Sequence, residues 1–262
     1  MKETFLSVGS PLFIGLLTDL HNHPFDEIID SVRNRRPDIL CIAGDLILGH
    51  APEEGHLCVE EQEHVLPFLR ALTALAPVFL SLGNHEWPLC EGDLELIAST
   101  GCILLDNNWV RHGDVVIGGQ TSAYVTESRR QRDAGEDPNP RPVPQGHSLT
   151  GLRGLASAYR LVPDTGWLPS FCAQPGFRIL LCHHPEYYPV CLQSLDIPLV
   201  LSGHAHGGQW QFLGRGVFAP GQGLFPALTH GVYDHRLVVS RGLSNTTQIP
   251  RLNNPTEIVY IR

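Results

Sequence analysis

Leu201-Ser202-Gly203-His204-Ala205-His206-Gly207-Gly208-Gln209 follows a run of strand-forming residues, Ile197 to Leu201, and carries two histidines separated by one alanine. In an extended segment, positions i and i+2 point to the same side, so His204 and His206 can present both imidazoles to one point. The flanking glycines let the backbone turn sharply and leave room beside that point. A His-x-His alone is an ordinary loop sequence. Its meaning depends on what the rest of the chain brings to the same place.

Earlier stretches supply candidates. Pro11 to Thr18 is an apolar run that ends at Asp19-Leu20-His21-Asn22-His23. A buried strand followed by Asp-x-His brings a carboxylate and an imidazole to the strand's carboxyl end, where open α/β sheets keep their sites. Residues 24–36 predict a helix, with Phe25, Ile28, Ile29 and Val32 at helical spacing. Asp38 to Ala43 predicts a second strand, closed by Gly44-Asp45. Glu60 to Ala76 predicts an amphipathic helix with Val65, Phe68, Leu69, Leu72 and Leu75 on one face, which Pro67 starts or kinks. Val78 to Leu82 predicts a third strand, ending in Gly83-Asn84-His85-Glu86. Further on, Phe177 to Cys182 predicts a strand that ends in His183-His184-Pro185. Buried carboxylates and amides are costly unless paired or coordinated. Their recurrence at strand ends points to one shared ligand.

The segments between are less informative. A helix around Asp93 to Ser99 and strands near Ile103 to Leu105 and Val115 to Gly118 read as structural. Tyr124 to Tyr159 is rich in Pro, Arg, Gly and Asp, with Arg129, Arg130, Arg132 and Arg141 around an Asp137-Pro138-Asn139-Pro140 turn. A loop that long inside a compact domain is functional or disordered. Residues 124–160 are therefore a candidate lid or flexible insertion in a single domain spanning 1–262. The planar forks of its arginines are candidates to grip a second phosphate. In the tail, Leu237 to Ser240 and Glu257 to Ile261 read as strands of a second sheet.

Composition narrows the class. The chain has 262 residues, 42% hydrophobic and 17% charged, which is ordinary for a globular protein. Acidic residues outnumber basic ones 27 to 18, for a net charge of -9, and Lys2 is the only lysine. That balance argues against charge-driven binding to nucleic acid or anionic membranes. Seven scattered cysteines, none in a Cys-x-x-Cys pair, fit a reducing setting, with Cys41 and Cys182, inside apolar runs, read as buried free thiols. No apolar stretch approaches the roughly 20 residues needed to cross a bilayer. The start, Met1-Lys2-Glu3-Thr4, opens no signal-peptide apolar region. The expectation is a soluble, cytoplasmic protein without an integral membrane segment. The sequence carries no signal for an oligomeric state.

Collected, the strand ends offer Asp19, His21, Asp45, Asn84, His183, His204 and His206. Oxygen and nitrogen donors without cysteine suit Mn, Fe or Zn rather than copper or iron–sulfur centres. Seven donors exceed one tetrahedral ion and suit two ions sharing a bridge, for which Asp45 is the natural carboxylate. Two ions about 4 Å apart can activate a bridging hydroxide and clamp phosphoryl oxygens. Other hydrolytic and nucleotide-binding chemistries lack their motifs: there is no Gly-Lys-Ser/Thr, no Gly-x-Ser-x-Gly and no His-x-His-x-Asp-His.

Asp19-x-His21, Gly44-Asp45, Gly83-Asn84-His85-Glu86, His183 and Gly203-His204-Ala205-His206 resemble the five ordered motifs of the calcineurin-like metallophosphoesterases. The last motif, running on through Gly207-Gly208-Gln209, is similar to that of a bacterial subgroup ending in Gly-His-x-His-Gly-Gly-Gln. Val239 to Leu243 and Asn254-Pro255-Thr256-Glu257 resemble that subgroup too. The resemblance implies a four-layer α/β/β/α sandwich. It implies one metal held by Asp19, His21, Asp45 and His206, and a second held by Asp45, Asn84, His183 and His204. His85 would bind no metal, but would stabilise or protonate the leaving group of a small phosphorylated substrate: a phosphomonoester, a phosphodiester or a pyrophosphate. His183 directly ends its strand and is taken as the ligand, with His184 as the alternative. His23, Asn22, Asp26, His230 and His235 are candidates to orient ligands. Loss of ligands would instead suggest an inactive scaffold for protein interaction, and this chain keeps every one.

Overall fold

The structure is a computed structural model that describes residues 1–53, 55–136, 162–245 and 250–262. In chain order its main elements begin with β1 (Lys2–Leu6), β2 (Ile14–Leu17), α1 (Asp26–Arg35), β3 (Ile39–Ala43), α2 (Val65–Thr73) and β4 (Val78–Ser81). They continue with α3 (Glu91–Ser99), β5 (Ile103–Leu105), β6 (Asn108–His112), β7 (Val115–Gln120), α4 (Ala123–Asp133) and α5 (Leu168–Cys172). Next come β8 (Phe177–Cys182), β9 (Leu199–Ser202) and two short hairpins, β10 (Gln211–Phe212) with β11 (Arg215–Gly216) and β12 (Phe218–Ala219) with β13 (Gly223–Leu224). The chain closes with β14 (Gly231–Tyr233), β15 (Leu237–Val239) and β16 (Glu257–Ile261).

Two six-stranded sheets form the centre, ordered β1-β16-β2-β3-β4-β5 and β14-β15-β9-β8-β7-β6. In the first, β2, β3, β4 and β5 run parallel, and in the second β7, β8, β9 and β15 do. Parallel strands with both faces covered read as unbroken apolar runs, and β3 shows why. Ile39, Cys41 and Ala43 face the other sheet, packing with Ile117, Ile179 and Leu201. Leu40 and Ile42 face the helices, packing with Phe68, Leu69 and Ile97. On the far side of the second sheet, Val116, Leu180 and Val200 pack against Phe171 and Tyr188. Three cores between four layers give the α/β/β/α sandwich expected from the sequence.

The helices follow ordinary chemistry. α1 carries Asp26 and Glu27 in its first turn and Arg33 and Arg35 in its last, complementing the helix dipole. It stops at Arg36, whose φ is 53°, immediately before Pro37, which cannot continue it. α2 is shorter than predicted, because Glu60 to His64 form turns and Pro67 sits in the helix's first turn, where no amide partner is lost.

Two expectations are corrected. β16 is not in the second sheet: it lies in the first, parallel to β1 and antiparallel to β2. Ile258 and Tyr260 face the helices while Val259 and Ile261 face the other sheet. Such a strand fits either sheet by pattern, so tertiary pairing decides. β15 does belong to the second sheet. Residues 123–133, expected in a loop, form α4, capped by Ser122, which accepts from the Tyr124 amide at 3.3 Å. Most of the candidate insertion, including Arg141, lies outside the described residues. Among the described residues, no helix is long and apolar enough to cross a membrane.

Candidate metal centre

Parallel register gathers the site. β2, β3 and β4 end side by side, so Asp19, Asp45 and Asn84 leave the first sheet along one edge. β8 and β9 end together in the second sheet and deliver His183 and His204 to the same region. His21 Nε2 lies 3.8 Å from both Asp19 Oδ1 and Asp45 Oδ2. His206 Nε2 lies 3.6 Å from Asp19 Oδ1, and His183 Nε2 lies 3.0 Å from Asp45 Oδ2. Asp19, His21 and His206 form one buried cluster able to hold an ion, and Asp45, His183 and His204 form another.

Backbone geometry marks these positions as costly. Asp19, His21, Asp45, His204 and His206 have φ between 46° and 64°, a left-handed region that disfavours non-glycine residues by about 1–3 kcal/mol each. Such strain persists where surrounding structure imposes it, as at ligand clamps. Two glycines allow the loops to close on one another. A Cβ on Gly44 would meet the Gly83 Cα at 2.6 Å and His183 Nδ1 at 2.9 Å, and one on Gly83 would collide with the Asp45 carboxylate.

The donor atoms fit metal ions. His21 donates from Nδ1 to the Ile47 carbonyl at 3.2 Å, and His183 from Nδ1 to the Ala43 carbonyl at 2.7 Å. That leaves each Nε2 turned into the cluster, the arrangement metal-binding imidazoles adopt. His21 Nε2, His183 Nε2 and Asn84 Oδ1 are buried without a hydrogen-bond partner. Orphaned buried polar atoms are expensive, and three at these strand ends fit a cation.

Electrostatics follow from the crowding. Burial opposes charge on His183, but Asp45 beside it and Asp19 outweigh that and raise its pKa to about 10. Burial also works against the Asp45 carboxylate, yet His183, His85 and His21 hold it well below the usual range. Burial pushes His21, His204 and His206 below the ordinary imidazole value.

His85 differs from the other histidines. Its side chain is 29% exposed, against 0% for His21 and His183. Its Nδ1 donates to the Leu48 carbonyl at 2.8 Å, which turns Nε2 to within 3.9 Å of Asp45 Oδ2. Between the two doubled histidines, His183 faces Asp45, whereas His184 turns to Ser122 and Glu186. The other orienting candidates lie elsewhere: His23, Asp26 and His235 are exposed, Asn22 accepts from the His64 amide, and His230 bonds Gln211.

Several contributors were not singled out from sequence. The buried Glu86 carboxylate accepts from the amides of Gly83 (2.7 Å), Asp45 (2.9 Å), Leu46 (2.7 Å) and Ile47 (3.3 Å), tying the β3 and β4 loops together. Its place in Gly83-Asn84-His85-Glu86 was the available signal. Arg251 donates to His206 Nδ1 at 3.0 Å, and Asn254 donates to the His206 carbonyl at 2.7 Å. Ser244 donates to the Asp19 carbonyl at 2.8 Å. Asn254 lies in the Asn254-Pro255-Thr256-Glu257 stretch quoted above, whereas Ser244 and Arg251 follow no local motif of ligand type.

The sequence model of the calcineurin-like phosphoesterases matches residues 14–208, the span that contains every strand end described above. The chain belongs to the calcineurin-like phosphoesterase family. Relatives include an uncharacterized metallophosphoesterase of Helicobacter pylori, 26% identical over 279 residues, covering 100% of this chain and 63% of its own length. A Bacillus subtilis protein is 25% identical over 80% of this chain and 66% of its own. A metallophosphoesterase of Aquifex aeolicus is 24% identical over 98% of this chain and 86% of its own. The chain thus spans somewhat less than two thirds of the length of the first two. Buried His and Asp groups that could hold metal ions lie within the matched span.

Proposed function

We propose that this chain hydrolyses a small phosphate ester, a phosphomonoester, phosphodiester or pyrophosphate, at a dinuclear metal site. Asp19, His21, Asp45 and His206 would hold one ion, and Asp45, Asn84, His183 and His204 the other. Bound ions of this kind polarise phosphoryl oxygens and supply a nucleophile at neutral pH; Mn, Fe and Zn all accept these donors. The observation that carries the reading is the set of buried donor atoms left without partners at the strand ends.

The chain's own groups divide the work. Asp45 lies between the two clusters, with His21 on one side and His183 on the other, as a shared carboxylate must. The Ile47 and Ala43 carbonyls fix the His21 and His183 rings, so their Nε2 atoms are presented without reorganisation. His85 reaches toward solvent beside Asp45 with its Nδ1 proton already committed to Leu48. When the ring also carries a proton on Nε2, that nitrogen can stabilise phosphoryl charge or pass the proton to the leaving oxygen.

Metal content and hydrolysis measured together test this. Protein purified without chelator should carry close to two ions per chain. With Mn²⁺ it should hydrolyse bis-p-nitrophenyl phosphate or p-nitrophenyl phosphate, and the preferred ester would indicate diesterase or monoesterase chemistry. A chain with no metal and no turnover after reconstitution would sink the reading.

A further inference from the structure

Outside the seven donors, one buried polar chain reaches the centre. His204 Nε2 lies 3.4 Å from Glu186 Oε1. The same oxygen lies 3.0 Å from His184 Nδ1, and His184 Nε2 lies 2.8 Å from Ser122 Oγ. Glu186, His184 and Ser122 are all buried, at 6%, 1% and 0% exposure. The two imidazoles stand 4.3 Å apart, and the Tyr124 ring stacks on His184 with centroids 6.0 Å apart.

These residues invite a different reading, since His184, Glu186 and His204 could be taken for a third ion site. The hydrogen bonds argue otherwise. Ser122 donates its hydroxyl proton to His184 Nε2, and His184 donates from Nδ1 to Glu186. Both nitrogens of His184 are then committed, so it has no lone pair to offer an ion. Glu186 Oε1 can take a second proton donor, and His204 Nε2 faces it at 3.4 Å.

We infer that Glu186 is a positioning residue: it accepts the Nε2 proton of His204 and so turns Nδ1 of that ring toward Asp45 and His183, with His184 and Ser122 holding the carboxylate in place. A carboxylate behind a ligand histidine fixes its tautomer and ring orientation and raises its basicity, and losing such a partner costs 10–100-fold in metal affinity. The chain also joins the amino end of α4 to the centre, because Ser122 caps that helix. The inference rests on the dinuclear reading and deepens it, since it concerns only the ion that His204 would hold.

The test compares wild type with Glu186→Ala, Glu186→Gln and Ser122→Ala. Ions per chain are counted after dialysis against graded chelator and Mn²⁺, and kcat and KM are measured on bis-p-nitrophenyl phosphate. Wild type should hold two ions. Glu186→Ala should keep the first at wild-type affinity and bind the second 10–100-fold more weakly. Its kcat should fall at limiting Mn²⁺ and recover in excess Mn²⁺, with KM for the ester unchanged. Ser122→Ala should lose affinity at the same ion by a few-fold. Should Glu186→Ala not fold, the near-isosteric Glu186→Gln decides, since it lacks the full carboxylate charge and should also weaken only the second ion. Wild-type affinity for both ions in the Glu186 variants, or equal loss at both, would overturn the inference while leaving the dinuclear reading intact. A wild type that binds no second ion would overturn both.

Discussion

At the scale of single residues, burial separates roles that the sequence lists side by side. Asn84, His85 and Glu86 are consecutive, yet one offers an orphaned oxygen, one reaches solvent and one is sealed beneath the loops. His85→Ala is expected to leave two ions bound while lowering turnover by roughly 10²–10⁴-fold, the usual worth of a positioned acid–base group. Metal counts and kcat on the same preparation check this, and full activity in the variant would remove His85 from the chemistry. Glu86→Ala should behave differently. Its carboxylate accepts four backbone amides, and each buried amide left unsatisfied costs about 1–3 kcal/mol. The expected loss is more than about 3 kcal/mol in urea unfolding of the metal-free protein, accompanied by loss of bound metal. Wild-type stability would show that water or rearrangement replaces the carboxylate.

At the scale of elements, what was legible depended on how local its cause is. β3, β4 and β8 were readable because unbroken apolar runs end abruptly at Gly44-Asp45, Gly83-Asn84 and His183. The seven candidate donors were legible for the same reason: Asp45, Asn84 and His183 lie within three residues of those ends, Asp19 and His21 follow β2 within four, and His204 and His206 form the His-x-His stretch. β16 was found, but its sheet was not, because pairing with β1 at the other end of the chain leaves no local trace. Glu186 and Arg251 escaped because their meaning lies in distances to His204 and His206. α4 was misread as loop because its composition is polar, and three of the four arginines expected to grip phosphate, Arg129, Arg130 and Arg132, prove to be engaged within the chain, while Arg141 lies outside the described residues. Arg129 pairs with Asp106 at 2.7 Å, Arg130 with Glu127 at 2.8 Å, and Arg132 donates to the Pro88 and Leu89 carbonyls at 3.1 and 3.0 Å. Arg130→Ala, at an exposed pair, should change stability by less than about 1 kcal/mol. Arg132→Ala strips two carbonyls of their donor and should cost about 1–3 kcal/mol. Neither should change KM, and a several-fold rise in KM for Arg132→Ala would restore the phosphate-gripping role.

At the scale of the molecule, the crowding of histidines should shape how the metal-free protein responds to pH. His21, His184, His204 and His206 are buried with pKa values pushed below the ordinary 6.5, chiefly by burial. Their unfolded counterparts take up protons below pH 6.5 that the folded groups refuse, so the unfolded state binds more protons and stability falls with acid. His183 has the opposite sign. With its pKa raised to about 10 beside Asp45, its stabilisation is fully present below 6.5 and is lost as pH rises from 6.5 through 10. Each such group contributes a slope of up to about 1.4 kcal/mol per pH unit. Of these five imidazoles, four act on the acid side and one on the alkaline side. There the buried thiols of Cys41, Cys58, Cys102 and Cys182, pushed up by burial, add their own loss only above about pH 9. Asp45, held well below its usual range, deepens the acid fall further. Thermal unfolding in chelator should therefore show a maximum near pH 6.5, with a steep acid limb and a shallower alkaline one. Saturating Mn²⁺ should raise the midpoint by mass action and flatten the alkaline limb, because a cation then partners Asp45 in place of the His183 proton. A metal-free protein whose midpoint keeps rising from pH 6.5 to 9 would show that His183 and Asp45 are not a charged pair.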